Sequence, residues 1–458
     1  MEKIEKHIND NRNNFIEELK KFLEIPSIST NPENKGDVKK CAEYVKDELK
    51  NIGLENVKVY ETPGHPIVYG EWLKAGKDKP TVLVYGHYDV QPVDPIELWT
   101  DPPFQPTIKG ENIYARGSAD DKGQVFIHMK SIQSHMLINK SLPINIKFLI
   151  EGEEEIGSVN LDKFIDDNKE LLKCDYVVVS DTAMFDHDVP SICYGLRGLA
   201  YMQVEVTGPN RDLHSGSFGG AVNNPINALA HIISKLKDDK GKILIDGFYD
   251  DVLNLTKKER EEYARLPFDE KKYMKGLETD ELFGEEGYTT LERASGRPTL
   301  DCNGIWGGFQ GDGAKTVLPS KAFAKISMRL VPNQEPEKIE KLFTEYVKKI
   351  SPKSVKVEVK SLHGGKGAIT PIDSPGVNAA VEALKKGFGK SPVFVREGGS
   401  IPVVNTFQTL LKSPTILLGF GLPDENAHSP DEHLNLNNFH RGILSIAHYF
   451  NELSKIKL

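Results

Sequence analysis

Short apolar segments with the composition of buried strands alternate with helical segments through the first part of the chain. The strand-like segments span residues 57–60, 81–85, 144–150 and 176–179. Between them, residues 125–136 and 161–172 carry apolar side chains at helical spacing. Strands that alternate with helices predict an α/β fold, in which helices cover both faces of a sheet.

The pattern changes near residue 195. A strand at 199–206, a helix from Pro225 to Leu236, a strand at 322–330, a helix at 336–350 and a strand at 355–359 follow in that order. This succession is typical of a small two-layer domain. From residue 375 the α/β pattern resumes, with a helix at 376–387, a buried strand at 415–420 and a final helix at 439–453.

The composition argues against several classes of protein. The net charge of the chain is -9, whereas a general nucleic-acid binder would carry a stripe of basic residues. No apolar run approaches the ~20 residues that a membrane span needs. The four cysteines are widely separated, so neither a disulfide framework nor a zinc knuckle is predicted. The polar first residues lack the apolar core of a secretion signal, and we expect a cytoplasmic protein.

Residues able to bind metal ions follow the predicted strands. In the run Gly-His-Tyr-Asp at 86–89, His87 can offer a ring nitrogen to a metal and Asp89 can orient that ring. Asp120 and Asp121 lie between glycines, and one carboxylate can bridge two cations. Each pair also has a plain structural alternative: a turn cap for the first, and an Asx turn or acidic helix N-cap for the second.

Three further candidates follow later strands. In the triplet at 153–155, one glutamate could bind a metal while its neighbour takes a proton from water. Asp181 follows the strand at 176–179, and His428 follows the strand at 415–420. Taken singly, each candidate has a structural interpretation. An acidic triplet usually lies on the surface, an aspartate after a strand begins a turn, and a loop histidine is exposed to solvent. Their occurrence at successive strand ends favours a paired metal centre.

Several motifs together resemble those of the M20 metallopeptidase family, and specifically its branch of carnosinase and the cytosolic non-specific dipeptidases. The matching motifs are GHYDVQP at 86–92, RGSADDKG at 116–123, EEIGS at 154–158, GLRG at 195–198, DLHSG at 212–216, REGGSIP at 396–402 and AHS at 427–429. They cover nearly the whole chain in matching order.

The resemblance implies a centre of two divalent ions in each subunit, Zn or Mn, with Co possible. The implied ligands are His87 and Asp181 on one ion, Glu155 and His428 on the other, and Asp120 as the bridge. The peptide bond between Asp120 and Asp121 is expected to be cis.

The resemblance also implies the catalytic roles. Asp89 would orient the His87 ring, and Glu154 would be the general base that takes a proton from the bridging water. Glu153 is interpreted as a bystander. His214 would stabilise the oxyanion and would come from the partner subunit.

The same resemblance implies a substrate pocket. Arg329 would bind the terminal carboxylate of the substrate. The full substrate-binding set is Arg329, Thr316, Ser400, Gly399, His214 and His428. From the residues alone, an exposed arginine at a strand edge is the preferred interpretation of Arg329.

The domain organisation follows from the ligand positions, because ligands far apart in the chain must meet. We predict a zinc-exopeptidase-like catalytic domain of residues 1–197 and 372–458. Residues 198–371 would form an inserted α+β (ferredoxin-like) domain, which the resemblance makes a lid and a dimerisation surface. The working unit would be a homodimer.

The leading functional hypothesis is metal-dependent hydrolysis of dipeptides or short peptides that have a free C-terminal carboxylate. An N-acyl-amino-acid deacylase with the same site is the alternative. A non-catalytic binding protein is disfavoured because Glu154, Asp120 and His428 are all present. The choice of metal, the substrate side chains and the distinction between dipeptidase and carboxypeptidase stay open.

Overall fold

The computed structural model describes residues 1–399 and 401–457 of the chain. The chain forms two structural units. The first unit comprises Met1–Tyr194, Thr370–Val395 and Val403–Leu458, and the second comprises Gly195–Ile369 and Arg396–Pro402. The predicted catalytic domain of residues 1–197 and 372–458 stays a prediction. The residues described within 396–402 group with the second unit, in which the buried side chains of Arg396 and Glu259 form an ion pair.

The strands are numbered in chain order. They are β1 (Glu55–Tyr60), β2 (Ile67–Trp72), β3 (Thr81–His87), β4 (Thr107–Lys109), β5 (Asn112–Tyr114), β6 (Asn145–Glu151), β7 (Tyr176–Val179), β8 (Ser191–Leu196), β9 (Gly198–Thr207), β10 (Leu213–His214), β11 (Thr299–Gly307), β12 (Val317–Leu318), β13 (Lys321–Leu330), β14 (Lys356–Gly365), β15 (Ala368–Ile369), β16 (Val393–Glu397), β17 (Thr415–Leu417) and β18 (His433–Asn435).

The helices are numbered in the same way. They are α1 (Glu2–Asp10), α2 (Arg12–Leu23), α3 (Lys35–Asn51), α4 (Lys122–Asn139), α5 (Leu161–Asp167), α6 (Lys169–Leu172), α7 (Ser215–Phe218), α8 (Pro225–Ser234), α9 (Lys257–Arg265), α10 (Glu270–Gly276), α11 (Pro336–Ile350), α12 (Pro375–Phe388), α13 (Pro402–Thr406) and α14 (Leu436–Leu453). Among the residues described, every helix is too short or too polar to cross a lipid bilayer.

A mixed sheet forms the centre of the first unit. Its strands follow the order β1-β2-β6-β3-β7-β17-β8. The inner strands β6, β3, β7 and β17 are mutually parallel, whereas β1, β2 and β8 pair antiparallel. Every residue of β6 and β7 is buried, as expected for parallel strands at the centre of a sheet. The predicted α/β fold is confirmed.

Helices pack on this sheet and on one another. α3 contacts β1 and β2, and α4 contacts β3. α4 is almost entirely buried because α1, α2 and α14 also pack against it, and α14 in turn packs against α12. The apolar side chains of these elements form one continuous core. This packing holds the carboxyl ends of the parallel strands in fixed positions.

The second unit contains a four-stranded antiparallel sheet with the order β11-β13-β9-β14. α8 packs on β9 and β13, and α11 packs on β9 and β14. The chain order β9-α8-β11-β13-α11-β14 with this strand order is the ferredoxin-like arrangement. A separate apolar core lies between the sheet and the helices. The predicted inserted α+β fold is confirmed.

Some elements differ from the sequence prediction. β11 was not predicted, because its sequence TLDCNGIWG contains residues with low strand propensity and most of its side chains are at least partly exposed. β2 was also missed. The helix predicted at 161–172 is two helices, α5 and α6, which are interrupted at Asn168.

Candidate metal centre

Candidate ligands lie at the carboxyl ends of four adjacent parallel strands. His87 is the last residue of β3, and Asp181 follows β7 by two residues. Glu155 lies in a 3-10 turn after β6, and His428 lies in the loop after β17. Since parallel strands end at the same edge of a sheet, side chains that are distant in sequence meet there.

The five predicted ligands form two clusters that share one carboxylate. His87, Asp120 and Asp181 bring donor atoms within 4.8 Å of one another, and so do Asp120, Glu155 and His428. Asp120 Oδ1 lies 3.0 Å from His87 Nε2, and its Oδ2 lies 2.9 Å from His428 Nε2. Each oxygen of Asp120 therefore serves a different cluster.

The outer ligands complete these clusters. His87 Nε2 lies 3.8 Å from Asp181 Oδ2, and His428 Nε2 lies 3.2 Å from Glu155 Oε2. The His87 side chain is fully buried, whereas the side chain of His428 is 55% exposed. One cluster is therefore deep in the unit, and the other includes a side chain in contact with solvent.

Asp89 connects two of the loops at this centre. Its Oδ1 lies 3.4 Å from His87 Nδ1, so it can orient the ring. Its two carboxylate oxygens also accept hydrogen bonds from the backbone amides of Glu154 (3.2 Å) and Glu155 (3.1 Å). The same buried carboxylate thus fixes an imidazole and the turn that carries both glutamates.

The electrostatics of the centre show an excess of negative charge. Burial and the charge of Asp120 raise the pKa of Asp181 well above its usual value. Burial also raises the pKa of Glu154 to about 7, and the nearby carboxylates add to this effect. Burial alone would raise the pKa of Asp120, but hydrogen bonds from His428 and His87 outweigh it and lower that pKa.

The donor set fits divalent metal ions. Two imidazoles are opposed by several carboxylates in a largely buried space, so a divalent cation would offset the surplus charge. Mixed nitrogen and carboxylate ligands suit Zn, Mn or Co. The peptide bond between Asp120 and Asp121 is cis, as the sequence comparison implied.

Two supporting residues were missed by the sequence analysis. Gln91 Nε2 donates to Glu155 Oε2 at 2.7 Å. Glu153, interpreted as a bystander, is only 4% exposed, and its carboxylate accepts from the His65 amide (2.9 Å) and from Asn160 Nδ2 (2.8 Å). It therefore anchors the glutamate turn. Both residues lie inside or beside motifs already singled out, but their partners could not be read from the sequence.

Of the remaining predicted site residues, His214, Thr316, Arg329 and Gly399 belong to the second unit. His214 is exposed at the end of β10, where its Nδ1 accepts a hydrogen bond from the Gly216 amide at 3.0 Å. The Thr316 carbonyl accepts from the Ser215 amide at 3.0 Å, so Thr316 lies beside His214. Arg329 is half-buried on β13, and Gly399 is exposed. Ser400 lies outside the described residues. The substrate roles of these residues stay predictions.

Paired histidine and carboxylate clusters at the carboxyl edge of a parallel sheet are typical of metal-dependent hydrolases. Comparison with known proteins agrees with that class. Residues 83–452 match the model of Peptidase family M20/M25/M40. The chain is 35% identical to the Cys-Gly metallodipeptidase dug1 of Schizosaccharomyces pombe, over 100% of this chain and 99% of that protein.

Two further relatives extend the comparison. The Beta-Ala-His dipeptidase of Homo sapiens is 31% identical over 100% of this chain and 93% of that protein. The solved structure of the M20 family metallo-carboxypeptidase Sso-CP2 from Sulfolobus solfataricus has a TM-score of 0.83 and 35% identity, and the match covers 96% of this chain and 99% of that one.

The chain therefore belongs to Peptidase family M20/M25/M40. It is a hydrolase of the metallopeptidase class, and the metal dependence of that family agrees with the candidate ligands described above. The predicted family and branch are confirmed, as is the predicted class of enzyme.

Proposed function

We propose that this protein hydrolyses dipeptides, or other short peptides with a free C-terminal carboxylate, at a centre of two divalent ions. The observation that carries the proposal is that Asp120 offers one carboxylate oxygen to each of two histidine and carboxylate clusters. The relatives named for Cys-Gly and Beta-Ala-His cleavage support a dipeptide substrate.

In this proposal each cluster would hold one ion, Zn or Mn. His87 and Asp181 would hold the first, Glu155 and His428 would hold the second, and Asp120 would offer one oxygen to each. When bound, such ions polarise a scissile carbonyl and make a water molecule more acidic. Asp89 contacts the ring nitrogen Nδ1 of His87 and keeps the ring in place, so that Nε2 would face the ion.

Glu154 acts as the general base. Burial raises the pKa of its carboxyl group to about 7, so near neutral pH it can both accept and return a proton. It takes a proton from the attacking water and delivers it to the amine that leaves. The Asp89 carboxylate accepts a hydrogen bond from the Glu154 backbone amide and thereby fixes the backbone from which the Glu154 side chain extends.

Residues of the second unit recognise the substrate and the developing oxyanion. His214 Nδ1 accepts a hydrogen bond from Gly216, which leaves the ring proton on Nε2 as a donor for the oxyanion. Arg329, with Thr316, Ser400 and Gly399, binds the terminal carboxylate of the peptide. Residues 198–371 serve as the lid and dimerisation domain of a homodimer, in which His214 serves the partner's site. The cytoplasmic location stays a prediction.

A substrate screen tests this function. Protein loaded separately with Zn, Mn and Co is given dipeptides, tripeptides and N-acyl amino acids, and product amines are measured. We expect turnover of dipeptides with a free carboxylate and little turnover of the same peptides as C-terminal amides. Turnover of N-acyl amino acids alone would refute the dipeptidase assignment in favour of a deacylase. Efficient release of residues from longer peptides would indicate a carboxypeptidase.

A further inference from the structure

A buried carboxylate outside the candidate ligands holds the loop that carries Asp120. Glu432 has 0% exposure. Its Oε1 accepts hydrogen bonds from the backbone amides of Ala119 (2.9 Å) and Asp120 (3.1 Å). Its Oε2 accepts from the Gly117 amide (2.9 Å) and from Arg116 Nη1 (2.7 Å). All four donors belong to residues 116–120, and both carboxylate oxygens are therefore fully used.

The partner of this carboxylate is buried too. Arg116 is 1% exposed, and its Nη2 donates to the Pro92 carbonyl at 3.0 Å. The guanidinium also lies 5.2 Å from the centre of the Trp99 ring. A buried pair of this kind contributes little net stability compared with an apolar pair, but its geometry is strongly fixed.

Glu432 also belongs to the segment that carries His428, which precedes it by four residues. The Glu432 carbonyl accepts from the Ala115 amide at 3.0 Å, and the next residue begins β18, which pairs with β5. The chain that leads to Asp120 and the chain that leads away from His428 are therefore joined at this residue.

The loop has little room to adjust if this contact is lost. Gly117 has a φ of +85°, and a Cβ atom there would lie 2.6 Å from Val90 Cγ1. The backbone thus passes close to its neighbours, and the amide hydrogen bonds to Glu432 select one conformation for it.

We propose that Glu432 is a positioning residue of the metal centre, which sets Asp120 between the two clusters and fixes its distance from His428. The inference rests on the proposed two-ion site. Asp120 and His428 both belong to the cluster with Glu155, whereas only Asp120 belongs to the cluster with His87. Loss of the Glu432 carboxylate should therefore weaken the ion at the Glu155 cluster more than the other.

The test is metal binding by Glu432→Gln. The side-chain amide of glutamine has an NH2 group in place of one carboxylate oxygen. Two of the four donors in residues 116–120 would therefore face another donor instead of an acceptor. We expect the affinity for the ion at the Glu155 cluster to fall about 10- to 100-fold and that for the other ion to change less, measured by equilibrium dialysis against free Zn and elemental analysis. The metal concentration for half-maximal activity should rise by a similar factor, while KM at saturating metal stays that of the wild type.

Glu292→Gln is the matched control. Glu292 is a buried carboxylate of the second unit that accepts from Arg260 Nε (2.8 Å) and the Thr289 amide (2.8 Å). The Glu292→Gln variant loses an ion pair and an amide contact of a buried carboxylate, although its partner Arg260 is 47% exposed. We expect a fall in thermal stability with both metal affinities unchanged.

Glu432→Asp is the second variant, because it keeps the charge but shortens the side chain. It should fold and bind the ion at the Glu155 cluster with intermediate affinity. Wild-type affinities in Glu432→Gln, an equal metal loss in Glu292→Gln, or failure of Glu432→Asp to fold would overturn the positioning role. A wild-type protein that binds fewer than two ions would instead overturn the proposed function.

Discussion

Asp120 is the residue on which the proposed centre depends. Its carboxylate oxygens lie within 3.0 Å of two imidazole nitrogens that come from distant parts of the chain. Both histidines keep it ionised, because their hydrogen bonds lower its pKa in spite of burial. Asp181 and Glu154 have raised pKa values in the same space, since burial and nearby carboxylates oppose their ionisation. The positive charge of the two proposed ions would offset these effects and favour the ionised carboxylates.

Replacement of the proposed base should separate chemistry from metal binding. In Glu154→Gln we expect two bound ions per subunit and a kcat about 10²- to 10⁴-fold lower, because the amide cannot accept a proton. Elemental analysis and steady-state kinetics on the same sample measure both quantities. Substantial activity in this variant would contradict the assignment of the base.

Glu153→Gln is the control for this experiment, because it changes the adjacent glutamate in the same way. The Glu153 carboxylate binds His65 and Asn160. We expect it to lose stability but to keep far more turnover than Glu154→Gln. The reverse order of activities would mean that the base had been assigned one residue too late.

The sequence located the candidate ligands better than the residues that support them. His87, Asp120, Glu155, Asp181 and His428 were singled out by their position after strands and by the motifs around them. The structure brings these side chains together, and their role as ligands stays a prediction. The supports of these residues were not predicted. A carboxylate such as Glu432 acts through backbone amides about 312 residues away, and no local pattern records such a contact.

Among the elements, β3 and α4 determine where the loop at Asp120 can lie. They approach so closely that Gly86 is required: a Cβ atom there would lie 2.3 Å from Val125 Cγ2 and 2.6 Å from Asp121 Oδ2. His87 follows directly and ends the strand. Packing between a strand and a helix therefore sets the position of a ligand.

Gly86→Ala should destabilise the first unit. The added methyl group forces β3 and α4 apart, and we expect the free energy of unfolding to fall by about 1–3 kcal/mol in urea titrations. Gly36→Ala is the control, because a Cβ atom at Gly36 in α3 meets no atom within 4 Å. That variant should be neutral or slightly more stable. Equal effects of the two substitutions would contradict the close-packing argument.

His128, one of two buried histidines of α4, should make stability depend on pH. Burial lowers the pKa of His128 to about 3, and its Nε2 lies 2.7 Å from Ser180 Oγ. An unfolded histidine takes a proton near pH 6.5. Below that pH the unfolded chain binds more protons than the folded one, so stability is lost as the pH falls from about 6.5 towards 3.

His128→Gln removes this titration. Between pH 6.5 and 5 the metal-free variant should lose less stability than the wild type, by up to about 1.4 kcal/mol per pH unit. His231→Gln, which makes the same substitution at an exposed histidine of α8, is the control. Urea titrations at several pH values measure the slopes, and identical slopes in wild type and His128→Gln would show that His128 is not held neutral.

The elements themselves were predictable where burial imposes a regular pattern. β7 and α11 have the predicted bounds, since one is a fully buried strand and the other a helix with a clear apolar face. β11 was not predictable in the same way. It is an outer strand of its sheet and pairs only with β13, so tertiary pairing and not its own composition makes it a strand.

At the scale of the whole molecule, the proposed homodimer gives each active site a base from one subunit and His214 from the other. Mixing two inactive variants tests this arrangement. When Glu154→Gln and His214→Ala are unfolded and refolded together in equal amounts, half of the dimers are mixed, and each contains one intact site. About a quarter of the wild-type activity should return. No recovery, with mixed dimers shown by mass spectrometry, would place His214 within its own subunit's site.

Two ions that share Asp120 should be visible by anomalous scattering from zinc-loaded crystals. We expect two peaks about 3.5–4 Å apart on either side of the Asp120 carboxylate. One should be bound by His87 and Asp181 and the other by Glu155 and His428. A single peak, or two peaks that do not share Asp120, would rule out the proposed two-ion centre.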